Sequence, residues 1–190
     1  MALAALVFVV TLVHALWYAP DGSTYAPAAV AASTPASALA PASDPLRLVI
    51  AALHIDAKVQ YVGLTAAGNI GTPDNFTDVA WYKDGVVPGQ PGSAIIDGHV
   101  DNGLGLDGVF KHLSDIQVGD DIEVQTASGT PLQFTVTNVA SYPYQNVPPG
   151  ALFQNSAVPE LTLITCEGTW VQSGRTYDHR LVVTATLQHS

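Results

Sequence analysis

The chain has 190 residues, of which 48% are hydrophobic and 12% charged, a composition typical of a globular protein and not of a disordered one. Its formal net charge is −10 with only six Lys and Arg, which argues against nucleic acid as a partner, because phosphate binding needs clustered basic side chains. The single cysteine, Cys166, excludes an internal disulfide. In a secreted protein it would be an intermolecular bridge, a reactive thiol or a small buried side chain.

The N-terminal segment is hydrophobic. Residues 2–17 are almost continuously apolar and are followed by Tyr18. This length lies between the ~7–15 residues of a signal-peptide core and the ~20 residues of a spanning helix, and no basic residue precedes it. Because the aromatic pair Trp17 and Tyr18 is typical of a membrane interface, we interpret residues 1–19 as an uncleaved hydrophobic membrane anchor. Small residues at 38–40 leave open the alternative of a cleaved signal segment.

Residues 20–44 consist largely of Ala, Pro, Ser and Thr without an apolar period. Such a segment buries too little surface to offset its ordering entropy, so we predict an extended, disordered linker. A hydrophobic segment followed by a Pro-rich stalk holds a domain away from a membrane. The organisation therefore predicts one folded domain, residues 45–190, on the extracytoplasmic face of the cell membrane behind a single N-terminal anchor.

The rest of the chain contains short β-branched runs separated by Gly, Pro, Asn and Asp. Residues 133–139 alternate with period two, as a half-buried strand does. Helical signal is confined to short pieces such as Leu106–Leu113. Many short strands and few helices predict a mainly β fold, a closed or nearly closed β-barrel. The predicted strands are Arg47–Ile50, Ser93–His99, Asp121–Gln125, Leu132–Ala140, Glu160–Cys166 and Arg180–Leu187.

Three polar residues lie at edges of these predicted strands: His99 and Cys166 at the ends of theirs, and Arg180 at the start of the last. Gly98 allows a close backbone approach beside His99. A thiolate is a nucleophile, a histidine transfers protons near neutral pH, and an arginine stays charged and can stabilise an oxyanion. Taken singly, each has an ordinary structural explanation. Together they predict thiol-based acyl transfer if the folded chain brings them to one cleft.

Four motifs in chain order resemble those of one enzyme family. Residues 162–166, Thr-Leu-Ile-Thr-Cys, resemble the Thr-Leu-x-Thr-Cys signature of sortases. Gly98-His99 after a hydrophobic strand resembles the family's histidine motif, and 109–113 followed by 118–120 is similar to the segment after it. Residues 180–183, Arg-Leu-Val-Val, resemble the arginine strand. The resemblance covers about residues 45–188 and is greatest to the housekeeping-type class E and F sortases of actinobacteria.

The resemblance implies an eight-stranded sortase-type β-barrel in a Gram-positive cell envelope. It implies cleavage of a Leu-Pro-x-Thr-Gly-like sorting signal between Thr and Gly, with Cys166 forming a thioester and His99 and Arg180 assisting. An amine such as a peptidoglycan precursor would then accept the acyl group, which anchors surface proteins to the cell wall. The partners implied are proteins that carry the sorting signal, the amine acceptor and, through the N-terminal segment, the membrane. No cofactor is expected, and no metal, because the histidines lack compact ligand spacing.

By the same resemblance, the strands bearing His99 and Cys166 and the loop Tyr142–Val158 would form the groove for the sorting signal. Thr165, Leu152 and Phe153 are the candidate substrate-binding residues. Leu152 and Phe153 have an alternative explanation, in which they plug the barrel.

Three acidic residues flank the candidate catalytic residues. Glu167 would oppose thiolate formation, so we expect its side chain to point to solvent. Asp97 and Asp101 are interpreted as turn residues, with the alternative that Asp101 orients the imidazole of His99.

Two other functions remain compatible with the sequence. A cysteine peptidase or an L,D-transpeptidase-like cell-wall enzyme would share the thiol and the histidine but act on other peptides. A non-enzymatic surface-binding β-barrel module would bury Cys166. Product analysis with and without an amine separates the first from a transpeptidase, and thiol titration of the native protein tests the second.

Overall fold

The computed structural model describes residues 43–102 and 104–188, so the proposed anchor and nearly all of the proposed linker lie outside the described residues. Short 3-10 turns occur at Ala51–Leu53, Leu113–Asp115 and Tyr144–Asn146, and one short α-helix spans Pro149–Leu152. Within the described ranges, no helix is both long and apolar enough to cross a membrane. The strands are β1 (Pro45–Ile50), β2 (Ile55–Val62), β3 (Val79–Tyr82), β4 (Gly92–Asp97), β5 (Asp121–Thr126), β6 (Leu132–Pro143), β7 (Pro159–Val171) and β8 (Thr176–Leu187).

These eight strands form a closed barrel in the order β1-β2-β3-β4-β7-β8-β6-β5, and β5 pairs with β1 to close it. The pairs β2–β3 and β4–β7 are parallel, and the others are antiparallel. The predicted fold class is therefore confirmed. All six strands predicted from the sequence are present. The prediction missed β2, whose outward positions carry Asp56 and Lys58, and β3, which has only four residues.

Alternate residues of β4 and β7 fill the barrel interior. Ala94 and Ile96 on β4 and Leu161 and Leu163 on β7 belong to the hydrophobic core and are fully buried. Because side chains alternate along a strand, the residues between them lie on the opposite face of the sheet. We call this surface of β4, β7, β8 and β6 the outer face. Cys166 lies on it, two residues beyond Ile164 along β7.

The strands β7 and β8 extend beyond the positions at which the sequence predicted their ends. Cys166 does not end its strand, which continues to Val171, and Arg180 does not begin its strand, which starts at Thr176. A β-bulge lies between Glu167 and Trp170, and the Trp170 ring packs edge-to-face on Tyr177 at 5.4 Å. This extension contains Gly, Asp and His, which have weak strand propensity, so pairing across the hairpin and not local preference maintains it.

The helical signal predicted for Leu106–Leu113 is wrong. This segment instead runs antiparallel beside the chain that follows β4, with the Gly108 N–H donating to Val100 O at 3.0 Å and the Phe110 N–H donating to His99 O at 2.9 Å. Residues 109–112 form turns, in which the Lys111 N–H donates to Gly108 O and the Leu113 N–H donates to Phe110 O, and the 3-10 turn Leu113–Asp115 follows. A side chain at Gly108 would overlap the backbone of His99. The glycine is thus explained by this close crossing, which no helical period could reveal.

Candidate active site

Cys166 and Arg180 are directly opposite each other in the antiparallel pair β7–β8. Residues in such a pair have Cβ atoms roughly 4.5–5.5 Å apart and side chains on the same face. Tyr142 on β6 continues the line, because it is paired with Arg180. We call Cys166, Arg180 and Tyr142 the Cys166 row. The structure therefore brings together the thiol and the guanidinium that the sequence analysis singled out.

His99 lies next to this row. The parallel register of β4 with β7 places Asp97 opposite Ile164, and the Gly98 N–H continues the ladder by donating to Ile164 O at 3.2 Å. The Thr165 hydroxyl donates to Gly98 O at 2.7 Å. β4 ends at Asp97, and His99 follows Gly98 at the end of the ladder beyond which Cys166 lies on β7. Gly98 permits the arrangement, because a Cβ there would overlap the ring of Phe110.

The imidazole of His99 contacts the segment before β3. Its Nε2 lies 3.0 Å from Pro73 O, and its ring packs against Phe76 with centroids 4.8 Å apart. A carbonyl oxygen only accepts, so Nε2 carries the proton and Nδ1 stays available for a second proton. No hydrogen bond joins His99 to Cys166, although the structure describes both residues. The ring is thus oriented by Pro73 and not by Asp101, which excludes the alternative considered for Asp101.

The guanidinium of Arg180 is held by its own strand. Nη1 donates to Tyr177 O at 3.1 Å and to His179 O at 2.8 Å, and Nη2 donates to Thr176 Oγ1 at 2.9 Å. The guanidinium carbon also lies 5.6 Å from the centroid of the Tyr144 ring. These contacts use three of the five guanidinium N–H donors and leave the Nε–H and one Nη2–H without a partner among the described residues. Two rigidly held donors therefore remain for a ligand.

The Cys166 thiol is half-buried and opens into a pocket of about 150 Å³ at the end of the barrel. Val100, Lys111, Gly168 and Tyr177 contribute to the pocket wall. Burial raises the pKa of the thiol, Arg180 opposes that rise, and the nearby Asp97 and Asp101 add to it. The resting side chain is therefore a neutral thiol at neutral pH, and a nucleophilic role would require the removal of its proton.

Two acidic residues of this pocket differ from their expected roles. Asp101 is not merely a turn residue, because its carboxylate accepts a short hydrogen bond from the Tyr177 hydroxyl, which raises the pKa of Tyr177 to about 12. Glu167 does not point to solvent. It lines the pocket, and its Oε2 is buried without a hydrogen-bond partner. No sequence pattern indicated Tyr177, because its contact with Asp101 depends on the hairpin extension of β7 and β8.

Asp97 is a third acidic residue whose surroundings the sequence did not predict. It is the last residue of β4, not part of a turn, and its Oδ1 is buried without a partner. Burial raises the pKa of this carboxyl to about 7, although Arg180 acts in the opposite direction. At neutral pH the group is therefore divided between its charged and neutral forms.

The other candidate substrate-binding residues lie on the connection between β6 and β7. Leu152 ends the short helix Pro149–Leu152 and is half-buried. Phe153 is 53% exposed and packs edge-to-face on Tyr82. Neither belongs to the core, so they do not plug the barrel. Thr165 lines the pocket of Cys166, whereas a separate cavity of about 240 Å³ lies between Pro148–Gln154 and the outer face at Val182 and Thr184.

Comparison with known proteins gives one family and one fold. The family model described as the Sortase domain matches residues 48–188. The chain is similar to sortase A from Corynebacterium diphtheriae, lid mutant, with a TM-score of 0.60 and 19% identity over 77% of this chain and 70% of that one. It is also similar to sortase C-1 from Actinomyces oris, with a TM-score of 0.60 and 22% identity over 77% of this chain and 76% of that one. For a Clostridium perfringens sortase D5 transpeptidase, the TM-score is 0.58 and the identity 20% over 77% of this chain and 79% of that one. No curated protein sequence matches the chain significantly.

Proposed function

Because the chain belongs to the sortase family, whose members are cysteine transpeptidases of the cell wall, we propose that it cleaves a Leu-Pro-x-Thr-Gly-like sorting signal between Thr and Gly and transfers the acyl group to an amine. Cys166 would be the nucleophile, His99 the general acid and base, and Arg180 the oxyanion donor. The acyl donors would be surface proteins that carry the signal, and the acceptor an amine such as a peptidoglycan precursor.

One observation carries this proposal: Cys166 and Arg180 are directly opposite each other on β7 and β8, and β4, which pairs with β7 on its other side, leads through Gly98 to His99. A nucleophile and a cation on adjacent strands, with an imidazole two residues beyond the end of a third strand, are the groups that acyl transfer through a thiol requires. Two of these side chains are held in place before substrate binds. Arg180 is held by hydrogen bonds within β8, and His99 is held by its contact with Pro73 O.

The first half-reaction begins with a neutral thiol. His99 accepts the Cys166 proton at Nδ1, and the thiolate sulfur attacks the carbonyl carbon of Thr in the signal. The carbonyl oxygen becomes an oxyanion, to which the free Nε–H of Arg180 donates a hydrogen bond. When the C–N bond to Gly breaks, His99 returns its proton to the departing amine. The product is a thioester between the Thr acyl group and Cys166.

The second half-reaction repeats these steps with an incoming amine. The amine nitrogen attacks the thioester carbonyl, His99 accepts a proton from the nitrogen, and the C–S bond breaks to regenerate Cys166. Attack by water in place of the amine would give hydrolysis. The balance between the two outcomes therefore distinguishes a transpeptidase from a cysteine peptidase.

We also propose that residues 1–19 anchor the protein in the cell membrane and that residues 20–44 hold the barrel at its extracytoplasmic face. The apolar composition of the first segment and the Pro-rich composition of the second support this arrangement. A class E or F assignment, with an actinobacterial origin, is supported by the N-terminal organisation and by the short connection between Cys166 and Arg180.

The test uses the full-length chain with a Leu-Pro-x-Thr-Gly peptide, in the presence and absence of a glycine-peptide amine. We expect mass spectrometry to detect a thioester on Cys166, Thr–Gly cleavage and a product joined to the amine. The matched control is Cys166→Ala, which should form no thioester. Cleavage that yields only the hydrolysed peptide at saturating amine would contradict transpeptidation, and no cleavage of any such peptide would contradict the substrate class.

A further inference from the structure

Three buried side-chain atoms lack a hydrogen-bond partner among residues 43–102 and 104–188, and all three are carboxylate oxygens: Asp97 Oδ1, Glu160 Oε2 and Glu167 Oε2. Asp97 lies on β4, and the two glutamates lie on β7, the strand that carries the thiol. Leaving a buried polar group unpaired costs free energy, and more so for a charged group. Native proteins contain few such atoms, so these indicate a place where a ligand completes the hydrogen bonding.

Asp97 is the best placed of the three to meet a substrate. It is paired with Ile164 on β7, which is paired with Val182 on β8, and these residues form the Asp97 row of the outer face. The Asp97 row is two residues along β7 from the Cys166 row. A rise of about 3.3 Å per residue and a strand spacing of about 4.8 Å place the Cα atoms of Asp97 and Cys166 roughly 8 Å apart.

The outer face continues from Asp97 toward the connection between β6 and β7. On β3, Ala80 is paired with Asp97, and Tyr82 follows two residues later on the same face. The ring of Tyr82 packs on Phe153, which follows the short helix of that connection. Asp97 therefore lies between the nucleophile on one side and Phe153, a candidate contact for the sorting signal, on the other. A peptide bound between them passes over Asp97 within about two residues of the scissile carbonyl, since an extended chain spans about 3.3–3.6 Å per residue.

No side chain of the described residues satisfies the Asp97 carboxylate. Its row neighbours Ile164 and Val182 are apolar, and the hydrogen bonds of Arg180 go instead to Tyr177 O, His179 O and Thr176 Oγ1. Burial raises the pKa of Asp97 more than the charge of Arg180 lowers it, so the charged form is only partly compensated. A neutral donor would hydrogen-bond to the oxygen but leave the negative charge uncompensated. A cation would both donate a hydrogen bond and compensate the charge.

On this basis, and resting on the function proposed above, we propose that Asp97 is a specificity-determining residue that pairs with a basic side chain at position x, immediately before Thr, of the Leu-Pro-x-Thr-Gly-like signal. The charges around the thiol also favour a basic ligand, because Asp101 and Glu167 line the same pocket. The Nζ of Lys111, which lines it too, lies 3.9 Å from Oδ1 of Asp107. Among the described residues that line the Cys166 pocket, Lys111 is the only basic one, and its charge is paired with Asp107.

The experiment measures binding without turnover, using the full-length Cys166→Ala protein and fluorescent peptides that differ only at x. Lysine is compared with norleucine, which keeps the alkyl chain and lacks the charge, and with glutamate. We expect the lysine peptide to bind about tenfold or more tightly than the norleucine peptide, as a charge-assisted hydrogen bond allows. Adding Asp97→Asn should reduce the ratio to within about twofold. The matched control is Glu160→Gln, a second orphan carboxylate four residues from Ile164, which should leave the ratio unchanged.

Each outcome decides the proposal. Equal binding of lysine and norleucine peptides, or a lysine preference that survives Asp97→Asn, overturns it. The wild-type comparison needs no variant, so it decides the matter even if Asp97→Asn fails to fold. The proposed function is judged separately by Thr–Gly cleavage: cleavage without a lysine preference overturns only the role of Asp97, whereas Asp97-dependent lysine binding without cleavage of any peptide overturns only the proposed chemistry.

Discussion

The stability of Asp97→Asn relative to wild type should rise as the pH rises. The folded pKa of Asp97 is about 7, against an ordinary value of 3.8. Below pH 3.8 the carboxyl is protonated in both the folded and the unfolded state and contributes no difference. Between 3.8 and about 7 the folded state binds a proton that the unfolded state has released, so the free energy of unfolding falls with rising pH. Above pH 7 the full penalty is present and constant.

The size of the effect follows from this pKa. Each tenfold change in proton affinity corresponds to about 1.4 kcal/mol, so the shift from 3.8 to about 7 gives a total of about 4 kcal/mol. This is an upper value, because only Oδ1 is fully buried while the residue as a whole is partly exposed. The buried Asn amide itself costs about 1–3 kcal/mol if it finds no partner, but that cost does not vary with pH. The pH-dependent part of the difference between the two proteins is therefore the informative quantity.

Urea denaturation of the full-length wild-type and Asp97→Asn proteins at pH 4.5, 6 and 8 measures this pH-dependent difference in the free energy of unfolding. The fluorescence of the buried Trp81 is the signal. The stability difference should increase in favour of Asn by about 2–4 kcal/mol from pH 4.5 to pH 8. The control is Asp84→Asn, which removes the charge of an exposed carboxylate. A flat difference for Asp97→Asn across this range would show that the carboxyl titrates normally and would refute the reasoning.

Three further outcomes are expected. Cys166→Ala should abolish peptide cleavage and leave the circular dichroism spectrum unchanged; cleavage above a trace would exclude Cys166 as the nucleophile. A protein beginning at Pro45, the first residue of β1, should fold and cleave peptides as the full-length chain does, and aggregation or inactivity would contradict the proposed boundary. Arg180→Lys should lower kcat by ~10²–10³ with little change in KM, because an ammonium cannot keep all three strand contacts and still donate to the oxyanion. A fall in kcat of less than tenfold, or a change in KM alone, would make Arg180 a structural or binding residue.

Local sequence pattern predicts a strand or helix correctly only where no distant contact overrides it. The alternation of residues 133–139 predicted the strand β6 because period two reports a half-buried surface wherever the partner strands lie. Leu106–Leu113 failed as a helix because Gly108 is needed for a backbone crossing with His99, a contact with no local signature. The ends of β7 and β8 were misplaced for a similar reason, since pairing across the hairpin maintains strands whose own residues have weak β propensity.

The sequence by itself determined the class of fold, through its many short β-branched runs, and it singled out Cys166, His99 and Arg180 as the candidate catalytic residues, because thiol chemistry needs those residue types and four ordered motifs contain them. Only the tertiary structure decided how they are arranged. The registers of β4, β7 and β8 pair Cys166 with Arg180, place β4, the strand that leads to His99, next to β7, and leave Oδ1 of Asp97 buried without a hydrogen-bond partner. Register arises from long-range pairing and burial, and the pKa of a carboxyl depends on what surrounds it, so neither quantity can be derived from the order of residues along the chain.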